Sequence, residues 1–94
     1  MTETQLKNII QKAQRADELL NDPLIQEFII AVRGDLLREF ESSKLGDEKA
    51  MKHAWQKSQI FNQFLEKFTK QIKDGKNAKH TLLQRAKDKV RSII

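Results

Sequence analysis

Leu19-Leu20-Asn21-Asp22-Pro23-Leu24-Ile25-Gln26-Glu27-Phe28 reads as the end of one helix and the start of another. A short polar side chain at Asn21 or Asp22 can accept from the free N–H groups of the first turn. Proline at the first helical position gives up no hydrogen bond there. Ser42-Ser43-Lys44-Leu45-Gly46-Asp47 repeats the message: Gly46 suits a left-handed termination, Asp47 can cap a third helix, and Glu48 suits that helix's positive end. Asp74-Gly75-Lys76-Asn77 gives a third stop of the same kind. These breaks predict four helices, over about 3–20, 23–42, 47–73 and 78–92. β-branched residues are few and period-two alternation is not sustained, so the fold class is all-α.

The apolar residues say how these helices pack. In the first, Leu6, Ile9, Ile10, Ala13, Ala16, Leu19 and Leu20 make one face, wide enough for a single neighbour. In the second, Leu24, Ile25, Phe28, Ile29, Val32, Leu36 and Phe40 form the main face. Ile30 and Leu37, seven residues apart, fall on the other side at 100° per residue. In the third, Met51, Leu65 and Ile72 recur with Ala54, Phe61 and Phe68 near heptad spacing, and Trp55 and Phe64 widen that stripe. The short connector between the second and third helices favours an antiparallel hairpin, with an N-terminal helix before it and a basic C-terminal helix after it. Phe61 and Phe68 read as core. Ile30, Leu37 and Phe64 are the candidate protein interface, because one neighbouring helix cannot cover the whole apolar circumference. Helices one and four folding back, or another subunit, would have to cover the rest.

At 94 residues and 11.0 kDa, with 38% apolar and 33% charged residues, the chain fits one helical domain over 1–94, with no room for a separate catalytic domain. It has no cysteine, which excludes disulfides, zinc–thiolate sites and thiol nucleophiles. No apolar run approaches the length of a membrane span, and the start Met-Thr-Glu-Thr-Gln lacks the layout of a signal peptide, so a soluble protein of the cytoplasm is expected. His53 and His80 are 27 residues apart, and neither has a carboxylate or second histidine three or four positions away; both read as solvated or partly packed, and no metal site is expected. Asp74-Gly75-Lys76 resembles the end of a phosphate-binding loop but lacks its upstream glycine and following Ser or Thr. Ser42, Ser43 and Ser58 have no recognisable histidine–acid arrangement, and Asp17-Glu18 reads as a solvated face. No catalytic residue, metal or cofactor is expected.

Charge is concentrated at one end. From Lys70 onward eight Lys or Arg residues face two aspartates, a net +6, whereas residues 1–69 hold ten basic and eleven acidic side chains, a net −1. In the fourth helix Leu82, Leu83, Ala86, Val90, Ile93 and Ile94 line one side, with Arg85, Lys87, Lys89 and Arg91 on the other. Lys76, Lys79, Arg85, Lys87, Lys89 and Arg91 are therefore the candidate contacts to an acidic protein or to phosphates. The helix has no aromatic side chain to stack on bases, and Asn77 and Gln84 are its amides for base edges, so sequence-specific readout is poorly equipped.

The run Ala16-Asp17-Glu18-Leu19-Leu20-Asn21-Asp22-Pro23-Leu24-Ile25-Gln26-Glu27-Phe28 resembles a pattern in small all-helical bacteriophage-encoded proteins. Arg33 and Leu36-Leu37, then Asp47, Trp55 and Asp74-Gly75-Lys76, continue the match over about residues 13–78; the basic helix extends past its end. Proteins of this kind are mostly of unknown function and often encoded among virion assembly genes. The resemblance implies a structural or assembly role without catalysis, as a minor structural or scaffold-type component in the host cytoplasm during assembly or in the virion. The expected partners are proteins, its own subunits or other virion components, with no membrane. A small nucleic-acid-binding accessory protein, using the basic helix, and a small regulator of a host protein are the alternatives.

Overall fold

A computed structural model of the chain describes residues 1–43 and 46–93. These form three helices: α1 (Glu3–Leu20), α2 (Pro23–Ser42) and α3 (Glu48–Ile93). No strand occurs among the described residues, and the fold is all-α. Lys44, Leu45 and Ile94, together with the side chain of Ile93, lie outside the description.

Local chemistry sets the helix ends. Thr2 Oγ1 accepts from the Gln5 N–H at 3.1 Å while Gln5 Oε1 accepts from the Thr2 N–H at 2.8 Å, a reciprocal box that starts α1. Asp22 Oδ1 accepts from the N–H groups of Leu24 at 2.8 Å and Ile25 at 3.3 Å, with Pro23 in the first turn of α2. The Gln26 side-chain amide donates back to the Leu20 carbonyl, tying the two helices' ends together. α2 stops where the Ser43 N–H bonds the Phe40 carbonyl at 3.2 Å. Gly46 takes φ +92°, a backbone that a side chain disfavours, and Asp47 Oδ1 caps α3 by accepting from the Ala50 N–H at 3.1 Å.

The expected stop at Asp74–Asn77 is not used. α3 runs through it for 46 residues, so the expected third and fourth helices are one, and the basic segment is its continuation. The reason lies across the contact. Gly75 is buried, and a Cβ built on it would overlap the Cβ of Ala13 and lie 3.8 Å from the Ile9 carbonyl oxygen. The glycine serves the close approach of α1 instead of a left-handed turn.

The chain's contacts divide it into two compact units, residues 1–19 with 68–94 and residues 20–67. In the first unit α1 lies antiparallel to the later part of α3: Gly75 meets Ala13, and the Arg85 guanidinium donates to the Met1 carbonyl at 2.8 Å. Leu6, Ala13, Ala16 and Ala78 are buried there, with Ile9, Ile10, Phe68, Ile72 and Leu82 half-buried around them. In the second unit α2 and the early part of α3 form the expected antiparallel hairpin. Lys57 Nζ and Glu39 Oε1 pair across it at 2.9 Å, and Ala54 is fully buried. Met51, Ser58, Phe61 and Leu65 are half-buried on the same seam, at alternating spacings of three and four residues.

Candidate interaction surfaces

α2 has no buried residue, although its sequence is rich in large apolar side chains. Ile25, Ile29 and Leu36 are half-buried against α3, which leaves Leu24, Phe28, Ile30, Val32, Leu37 and Phe40 exposed, Ile30 by 69% and Leu37 by 58%. Across the hairpin Trp55, Ile60 and Phe64 are exposed as well. A second helix covers only about a third of a helix's circumference, and α2 has apolar residues around far more than that.

The three candidate interface residues do not share a face. Leu37 lines a groove with Leu36, Phe40, Phe61 and Asn62, and Ile30, two turns earlier at 100° per residue, belongs to the same row of α2. On α3, Asn62 lies 100° to one side of the half-buried Phe61, and Phe64 lies 60° to the other. Phe64 therefore looks out from the opposite flank of the hairpin, the flank away from Leu37. Phe61 and Phe68 lie half-buried on inward-facing positions.

The basic candidates also separate. Taken at 100° per residue, Lys73, Lys76, His80, Gln84, Lys87 and Arg91 fall within about 80° of one another, on the side of α3 opposite Gly75, Ala78 and Leu82. All six are exposed. Arg85 and Lys89 point toward the α1 side, where Arg85 is engaged by the Met1 carbonyl, and Lys79 stands about a quarter-turn off the outward row. Of the expected contacts, Lys76, Lys87 and Arg91 therefore stand together on one side of α3. Lys73 joins them, one turn before Lys76, a placement hidden while a helix break is assumed between 74 and 77. Every described side chain from Ala86 to Ser92 is exposed, including Val90, which with Ala86 forms a small apolar strip beside Lys87 and Arg91.

His53 is exposed at the rim of a polar depression near the hairpin turn, beside Glu39, Ser43, Asp47 and Lys49, and His80 lies in the basic row. Among the described residues no three His, Asp or Glu side chains group as a metal would require, and no helix is long and apolar enough to cross a membrane. Ser58 Oγ donates to the Ala54 carbonyl at 3.2 Å, and Ser42 and Ser43 hydroxyls both donate to the Glu39 carbonyl; each serves its own helix. Compared with family models, curated proteins and solved structures, the chain matches none.

Proposed function

We propose that this chain is a non-enzymatic helical assembly protein whose α2/α3 hairpin associates with the same hairpin of a second copy. The observation that carries the reading is α2 itself: twenty residues without one buried side chain, and six large apolar residues open to solvent. A helix of this composition in water is stabilised chiefly by covering its apolar sides. A second copy can supply that cover, because its hairpin carries the same apolar residues and is close to neutral, with seven basic and eight acidic side chains over residues 20–67, so little charge repulsion opposes contact between like hairpins. Contacts between like hairpins keep the Ile30–Leu37 row and the groove beside it dry, with Leu37 as the central anchor. The setting in virion assembly, as a minor structural or scaffold-type component, rests on the resemblance of residues 13–78 to phage-encoded helical proteins.

Sedimentation equilibrium of the full chain tests the reading. The expected result is a mass that is a multiple of 11.0 kDa at micromolar concentration. Ile30→Glu with Leu37→Glu is expected to return it to a monomer with unchanged helical circular dichroism, since both side chains are already exposed in one copy. A wild-type chain that stays monomeric at high micromolar concentration overturns the proposal.

A further inference from the structure

The outward row of α3 has no role in that association, and it has the chemistry of a phosphate ligand. We infer that Lys73, Lys76, Lys87 and Arg91 bind the backbone of double-stranded nucleic acid without reading its sequence. Because α3 is continuous through Gly75, the four cations stand in one line spanning about 27 Å, the length of roughly eight base pairs of one strand. Of the carboxylates of this segment, Asp74 is turned well away from that sector, and Asp88 stands about 40° beyond its edge, where it accepts from the Gln84 side-chain amide at 3.4 Å.

Charge complementarity identifies an outside polyanion. The unit that carries the row has a net charge of +6, and the other unit, residues 20–67, has seven basic and eight acidic side chains, a net −1. A second copy therefore offers no acidic surface to match it. An acidic protein is the weaker fit, because lysine is depleted at protein interfaces and no aromatic anchor stands within the row. A single strand is a weaker fit as well: no Phe, Trp or Tyr occurs after Phe68, so nothing there can stack on unpaired bases. Lysines acting as point charges, with only Gln84 and His80 between them, suit contacts that position a protein on phosphates and carry little base discrimination.

The test titrates the full chain into fluorescent 16-base-pair DNA of two unrelated sequences. The corresponding single strand, polyglutamate and vesicles containing phosphatidylserine serve as competitors. Four phosphate contacts give a slope of log K against log salt of about −3.6, which is about a 150-fold loss of affinity between 50 and 200 mM salt. Both duplexes are expected to bind equally within about twofold and more tightly than any competitor, as contacts to the backbone alone require. Neutralising the row (K73Q, K76Q, K87Q and R91Q) is expected to bring the slope near zero, by about one per cation removed. K12Q, K49Q, K52Q and K67Q together remove the same charge from exposed positions elsewhere and are expected to leave the slope within one of wild type. K73R, K76R and K87R together preserve the slope, which separates loss of charge from loss of fold. The inference is overturned if wild type fails to bind duplex at 50 mM salt, if the two neutralised variants lose affinity equally, or if a competitor binds more tightly than duplex. Because the row lies outside the hairpin, the I30E/L37E variant reports on self-association separately and is expected to keep the duplex contacts.

Discussion

Two glycines act for opposite reasons at the scale of single residues. Gly46 is needed for its backbone: at φ +92° an added Cβ meets nothing within 4 Å, so Gly46→Ala is expected to destabilise by about 1 kcal/mol through the left-handed conformation alone. Gly75 is needed for its size. In an exposed helix Gly→Ala stabilises by about 1 kcal/mol, but here the new methyl collides with Ala13. Gly75→Ala is therefore expected to destabilise by about 1–3 kcal/mol in urea unfolding, the range for overpacking. Adding Ala13→Gly should recover part of that loss, a coupling that would be absent if Gly75 only terminated a helix. Ala13, Ala16, Gly75 and Ala78 are all small, and each is buried. Their alignment explains how α1 approaches α3 closely with so few large side chains sealed between them.

For whole elements, the continuity of α3 decides what the basic segment can do. A helix stop at 74–77 would leave Lys73 and Lys76 in no fixed phase with Lys87 and Arg91; one helix aligns them. Asn77→Pro separates the two cases. Proline removes the bond from residue 77 to the Lys73 carbonyl and crowds it, which costs about 3 kcal/mol inside a helix and almost nothing at a helix start. The larger loss is expected, with a smaller salt slope for duplex binding. α2 has a different dependence. Its N-terminus is well capped by Asp22, which starts the helix in a single copy, but its sides are poorly covered, so association is expected to add to its stability without being needed to form it.

On the scale of the whole molecule, two surfaces with different chemistry are built from one short chain: an apolar hairpin that is nearly neutral and a helical pair that holds the positive excess. If copies associate through the hairpin, unfolding releases subunits, and the melting temperature rises with protein concentration. Thermal scans at 5 and 200 µM are expected to differ by several degrees, given that about 1 kcal/mol moves the midpoint of a domain this size by roughly 4–8 °C. The I30E/L37E variant is expected to lose that dependence. Salt distinguishes the two surfaces, weakening phosphate contacts while leaving apolar ones in place.

Much of the fold was legible from the residues because its signals are local. Asp22-Pro23 and Gly46-Asp47 cap or end helices through atoms within four positions of one another, and apolar spacing marks the seam of α3 without reference to any neighbour. The all-α class, the first two helices, the hairpin and the gathering of positive charge after Lys70 come from the sequence by itself. The role of Asp74-Gly75-Lys76-Asn77 could not be read that way, since the same glycine serves a helix stop or a tight crossing, and only the presence of Ala13 against it selects the second. The grouping of Lys73 with Lys76, Lys87 and Arg91, and the separation of Phe64 from Ile30 and Leu37, likewise belong to tertiary structure. A side chain's direction depends on where its helix begins, ends and meets another, and those contacts come from residues far away along the chain.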